Sequence, residues 1–271
     1  VTMTLPSHAT DCHVHVYDPV RFAAPSPVPT ATWSDYARMQ QQLGLQRAVL
    51  VQPVGYGFDN ACLLDALVQA GQAARGIAVI KAETRWSELS RLHQQGVRGV
   101  RFMMVPGAGG VLPWDALERI SWRIAELGWV INLQLDGRDL PCYQERLLAL
   151  PSRLSIDHVG KFLEPVPVGH AAFQTLLRLL DGGNTWVKLS APYETSRVGA
   201  PLYEDVGVLA QTLINSHPER CLWASNWPHP GRDPRPSDSA MLDLLSHWAT
   251  DGAWRRRILA DNPAVLYGFD D

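Results

Sequence analysis

The chain has little cysteine and no excess charge of either sign. Its four cysteines, Cys12, Cys62, Cys142 and Cys221, are scattered over 271 residues with no Cys-x-x-Cys pair, which argues against a zinc knuckle or a disulfide framework. They read as buried structural thiols of a reducing compartment. Lys and Arg total 24 against 27 Asp and Glu, a net charge of −3, so no basic field is available to hold nucleic acid. No run approaches the roughly 18 uninterrupted apolar residues of a spanning helix. The opening Val1-Thr2-Met3-Thr4-Leu5-Pro6 also lacks the basic-then-apolar pattern of a secretory leader. The expectation is a cytoplasmic chain with neither nucleic acid nor membrane as partner. Gly-x-Gly-x-x-Gly and P-loop motifs, internal repeats and interdomain linkers are all missing as well.

What the chain does have is alternation. Short β-rich runs recur between longer stretches of helical periodicity, at Ala9–Val16, Arg47–Val51, Gly76–Lys81, Gly99–Met103, Trp129–Leu133, Leu154–Asp157, Thr185–Leu189 and Cys221–Ala224. Leu63, Leu64, Leu67 and Ala70 keep helical spacing between a cap at Asp59-Asn60 and Gly71, and Leu117, Ile120, Ile124 and Leu127 repeat the pattern up to Gly128. Several strands, such as Ala48-Val49-Leu50-Val51, are apolar on both faces, as parallel strands covered by helices must be. Eight such units in one chain of this length predict a single-domain (β/α)8 (TIM) barrel over residues 1–271. An open doubly wound sheet is the competitor, and it lacks its glycine fingerprint here. Trp33, Trp86, Trp114, Trp122, Trp248 and Trp254 fall in helical segments and are expected to pack helices onto the barrel.

In a barrel, chemistry belongs at the C-terminal strand ends. The first strand ends in Asp11-Cys12-His13-Val14-His15, and period two puts both imidazoles on one face. Two titratable rings in a core are costly unless they line a site. The sixth strand ends in Ile156-Asp157-His158, and the eighth runs into Trp223-Ala224-Ser225-Asn226-Trp227-Pro228-His229-Pro230.

These motifs, His-x-His, Ile-Asp-His-x-Gly and Trp-x-Ser-x-Trp-Pro-His-Pro, together with stretches such as Arg98-Gly99-Val100-Arg101-Phe102 and Lys188-Leu189-Ser190-Ala191-Pro192-Tyr193, resemble the amidohydrolase superfamily. The branch is amidohydrolase family 2, which includes lactonases of 2-pyrone-4,6-dicarboxylate. The resemblance implies a hydrolase that attacks the ring ester of a small carboxylated lactone with water. It implies that His13, His15 and His158 polarise the carbonyl and that Arg101 holds a carboxylate, and it places Gln52, Tyr193, Trp227 and His229 around the substrate. One departure stands out. The family's general base is an aspartate on strand eight, and that position is Asn226 here. Asp136, Asp157 and Glu194 are carboxylates elsewhere, Glu194 following Tyr193 where the pyrone lactonase places an arginine. The resemblance also implies no metal, because strands four and five end in Phe102-Met103-Met104 and Asn132-Leu133-Gln134 without the ligands of a binuclear centre. The alternative is a single zinc on His13, His15 and His158. With zinc, a decarboxylase of the aminocarboxymuconate semialdehyde type becomes the competing activity. A lactone isomerase and a carboxylate-binding homologue without turnover are the others, and a homo-oligomer is compatible with all of them.

Overall fold

Strand-forming runs rich in Val, Ile and Leu pair in chain order into one eight-stranded parallel sheet. Its strands are β1 Thr10–Val14, β2 Arg47–Val51, β3 Ala74–Ala78, β4 Val97–Met103, β5 Val130–Gln134, β6 Arg153–Ile156, β7 Thr185–Leu189 and β8 Cys221–Trp223. The loop after β8 returns to β1: His15 N donates to Trp227 O (2.8 Å) and Asn226 N to His13 O (3.0 Å). Eight helices follow the strands in turn: α1 Trp33–Leu43, α2 Ala61–Ala70, α3 Trp86–Gln94, α4 Leu117–Ala125, α5 Leu140–Leu148, α6 Ala171–Asp181, α7 Glu204–Ser216 and α8 Asp238–Trp248. The result is the expected (β/α)8 barrel. The computed structural model describes residues 3–270. Val1 and Thr2 of the opening segment discussed above lie outside them.

Two apolar layers hold the barrel together. The larger lies between strands and helices, where Leu89, Leu117, Ile120, Phe173, Leu176 and Leu213 are buried. The smaller fills the barrel interior with Cys12, Val49, Val51, Ile77, Val130, Trp186 and Leu222, closed by Leu266, Tyr267 and Phe269 near the C-terminus. Space there is tight. A Cβ on Gly99 of β4 would lie 2.5 Å from Val130 O and 2.8 Å from Ile77 Cδ1, so only glycine fits.

Two expected strands, Arg47–Val51 and Thr185–Leu189, have the observed boundaries. The third begins and ends earlier, because the Asn60 side chain occupies the backbone of Val79, donating to its O (2.9 Å) and accepting from its N (3.0 Å). Other expectations need correction. Trp122 and Trp86 face solvent (68% and 46% exposed), since the buried stripe of α4 is Leu117, Ile120, Ser121 and Ile124, which leaves Trp122 on the outer face. Cys142 on α5 is exposed, unlike the other three thiols. No helix among the described residues is long and apolar enough to cross a membrane.

Candidate active site

The barrel mouth is built on unusual backbone. His158 (φ 54°), Val159 (55°) and Lys161 (45°) after β6, Ala191 (47°) after β7, and Asn226 (63°) and His229 (60°) after β8 all adopt left-handed conformations. Non-glycine residues accept that strain mainly where surroundings over-determine it, typically at functional sites. In β1 the register shifts between Asp11 and Val14. Asp11 is bound by Ser225 (N, 2.9 Å; Oγ, 2.5 Å) and Tyr36 OH (3.2 Å), while His13 and His15 meet on the interior side.

Below the mouth lies a buried polar layer centred on Lys188 of β7. Its ammonium donates to His13 Nδ1 (3.0 Å) and to Asn132 Oδ1, and pairs with Asp157 Oδ1 (3.3 Å). Three protons meet three acceptors. Asp157 also accepts from Asn132 Nδ2 (3.1 and 3.0 Å) and Gln134 Nε2 (3.1 Å). Burial acts to raise the Asp157 pKa, but Lys188 together with the neighbouring His13 and His158 outweighs it and holds the carboxyl well below its ordinary range. Asp157 therefore organises the layer and stays ionised.

Burial drives the three imidazoles neutral. It pulls His13 well below the usual value, His15 down to about 3 and His158 down to about 4. Neutrality fixes the tautomers of the strand-one pair. His15 Nδ1 lies 2.8 Å from the Val51 carbonyl, which can only accept, so the His15 proton sits on Nδ1. Its Nε2 then accepts from His13 Nε2 (3.1 Å), and His13 Nδ1 is left to accept from Lys188. Neither ring has an N–H to offer a ligand in this arrangement. Of the three imidazoles expected at the site, His158 is held differently: its Nδ1 pairs with Ser190 Oγ (2.8 Å). When Ser190 donates, the proton of His158 sits on Nε2.

A cavity of about 360 Å³ opens above, lined by His15, Tyr17, Arg101, Met103, Gln134, His158, Lys161, Glu194 and Asn226. Four residues expected at the site, His15, His158, Arg101 and Asn226, therefore share one wall-to-wall space. His13 lies beneath it. Gln52 sits to one side, its Nε2 donating to Gly57 O (3.1 Å) and Asp59 O (2.7 Å), with Oε1 unpaired among the described residues beside Arg101. Tyr193 and His229 stand behind Asn226 in a relay. Asn226 Nδ2 donates to Tyr193 OH (3.0 Å), Tyr193 OH meets His229 Nδ1 (2.7 Å), and His229 Nε2 meets Asp238 (2.7 Å). Trp227 is not a pocket wall. It is buried against Tyr36 (ring centroids 5.4 Å apart), because its backbone pairs with β1 and turns the indole toward the helix layer.

Arg101 is buried beside this cavity without a salt-bridge partner among the described residues. The guanidinium donates from Nη1 to Gln52 O (2.8 Å) and leaves Nε unpaired among these residues. Across the cavity, Glu194 pairs with Lys161 through Oε2 and accepts from Asn226 Nδ2 through Oε1 (3.3 Å). Burial would raise its pKa, but His158, Lys161 and Arg232 hold it low.

The donor set does not suit a divalent cation. His13, Asp157 and His158 bring ligand atoms within 4.8 Å of one another, yet the Lys188 ammonium already holds the His13 Nδ1 lone pair and Asp157 Oδ1. His15, the third ligand of the alternative zinc site, has its Nε2 lone pair turned to His13. A second cation would meet an existing one. Lys188, Lys161 and Ser190 were not singled out from the sequence. A lysine inside an apolar strand, Thr185-Trp186-Val187-Lys188-Leu189, was the available signal, since such a charge is rarely buried unpaired.

The barrel and its mouth define an amidohydrolase, and the chain belongs to that family: the amidohydrolase family 2 model matches residues 10–269. A 2-pyrone-4,6-dicarboxylate hydrolase of Comamonas testosteroni is 34% identical, covering 97% of this chain and 91% of its own. A D-galactarolactone isomerase of Agrobacterium fabrum is 32% identical over 97% of this chain and 91% of its own. A ligand-free crystal structure from Agrobacterium tumefaciens superposes with a TM-score of 0.92 at 31% identity, covering 98% of this chain and 97% of that one.

Proposed function

We propose that this chain hydrolyses a small carboxylated lactone without a divalent metal. The observation that carries the reading is Arg101, a buried guanidinium that makes no salt bridge among the described residues and faces a cavity of lactone size. An arginine so desolvated gains most from a carboxylate that takes two of its N–H groups. With the carboxylate on Arg101, the ring carbonyl comes under His158 Nε2–H, and water attacks from the side of Asn226 and Glu194. The carbonyl oxygen takes up the electron pair, and collapse of the tetrahedral centre breaks the ring C–O bond to give a hydroxy acid. Preorganised donors in a site screened from water stabilise the developing oxyanion. Support for the metal-free reading comes from the Lys188 ammonium, which supplies the positive charge of the lower layer.

The test is a panel of carboxylated lactones, including 2-pyrone-4,6-dicarboxylate and sugar-acid lactones, run in ¹⁸O-water and followed by NMR and mass spectrometry. One labelled oxygen in a ring-opened acid is expected. Ring migration without label would make the enzyme an isomerase, and release of CO2 a decarboxylase. Calorimetric binding with no turnover of any lactone would refute catalysis altogether.

A further inference from the structure

The strand-eight position that would carry the base is an amide, yet a carboxylate stands beside it. We infer that Glu194 is the general base of this enzyme, supplied from the turn after β7 and held in place by Asn226 and Lys161. The inference rests on the lactone hydrolysis proposed above.

Geometry divides the two oxygens of Glu194. Oε2 is committed to the Lys161 ammonium, whereas Oε1 has only the Asn226 amide at 3.3 Å and retains a lone pair toward the cavity that both residues line. An amide at 226 is the right neighbour for such a base. It donates to the carboxylate, whereas a second carboxylate there would repel it. The step balances. Water gives one proton to Oε1 as its oxygen bonds to the ring carbonyl carbon. On collapse the same proton passes from Oε1 to the departing ring oxygen, leaving Glu194 ionised for the next cycle. The charged and titratable groups facing Glu194 are His158 and Lys161 from the segment after β6, Arg101 from β4, and Arg232 from the loop after β8.

The test compares wild type, Glu194→Gln and Glu194→Asp on whichever lactone the wild type opens, with pH–rate profiles. Glu194→Gln should lower kcat by about 10²- to 10⁴-fold, as expected for loss of a general base, with KM within a few-fold, and the acidic limb of the profile should disappear. Glu194→Asp keeps the charge for Lys161 but withdraws the oxygen by one methylene. It should lose at least tenfold in kcat and keep its acidic limb, and it carries the test should Glu194→Gln not fold. Turnover by the wild type with kcat unchanged in either folded variant overturns this inference alone. No hydrolysis of any carboxylated lactone by the wild type overturns the functional reading and the inference with it.

Discussion

Substituting Asn226→Asp has opposite consequences in sequence and in structure. Read from sequence alone, it supplies a missing base. In the folded chain it sets a second carboxylate where an amide now donates to Glu194 Oε1 at 3.3 Å. Two unit charges at that distance repel by about 5 kcal/mol at an effective dielectric constant near 20, between about 3 and 4 pK units. Lys161 and Arg101 offset part of this. Even half leaves one of the two carboxyls raised by about 2 units. A folded pKa above the unfolded value of about 3.9 costs nothing at low pH, where the group is protonated in both states. The cost grows as pH rises from about 4 to about 6, reaching roughly 3 kcal/mol. Urea denaturation of parent and variant at pH 4 and pH 7.5 measures it, and ¹³C-carboxyl NMR reads the shifted pKa directly. The variant should match the parent at pH 4 and fall below it at pH 7.5, with kcat raised less than tenfold. Equal stability differences at both pH values would refute the proximity of the two groups, and a hundredfold gain in kcat would show that no base was present before.

Arg101→Ala should raise KM by one to two decades with kcat nearly unchanged, because a carboxylate contact exists in ground and transition states alike; a collapse of kcat at constant KM would assign Arg101 to the developing charge instead. Lys188→Met leaves Asp157 ionised and unpaired in the core, for which about 3–5 kcal/mol of lost stability is expected by denaturant titration, with partial recovery in Lys188→Met/Asp157→Asn; undiminished stability would show that the ammonium is not paired there. Asp157 is held below its ordinary range, so its contribution is present above the unfolded pKa of about 3.9 and fades as pH falls, and the Lys188→Met variant should lose part of that acid dependence. Prolonged dialysis against a chelator should leave kcat/KM unchanged, whereas activity lost and restored by added zinc would defeat the metal-free mechanism.

The barrel was legible because its signal is collective. Eight apolar runs spaced by amphipathic helices survive errors of a few residues at each end, and β3 shows the kind of error that survives. Its expected run continues through Val79-Ile80-Lys81, but a side chain nineteen residues before Val79, Asn60, ends the ladder. Nothing in the local pattern announces a cap from another loop. Trp122 failed for a related reason. Its place in a helical segment suggested packing onto the barrel, while the buried stripe of α4 leaves it on the outer face.

The site was legible only in its motif residues. His13, His15, His158, Arg101 and Asn226 carry recognisable spacing, but what each can do depends on partners that arrive from other strands. Lys188 decides most. A lone ammonium at the barrel centre would be expelled or neutralised by its desolvation cost, and it persists because β1, β5 and the end of β6 each bring an acceptor to it. That arrangement makes His13 an acceptor at Nδ1, so its proton points to His15, and the proton of His15 points to Val51 O. One lysine on β7, together with the Val51 carbonyl, thus sets the direction of the His13–His15 hydrogen bond and removes two imidazoles from the list of available donors. In the proposed reaction carbonyl activation is left to His158 and proton transfer to a carboxylate, and Asp157 is locked by three donors, Lys188, Asn132 and Gln134, beneath the floor. Among the described residues, Glu194 is the carboxylate that lines the cavity.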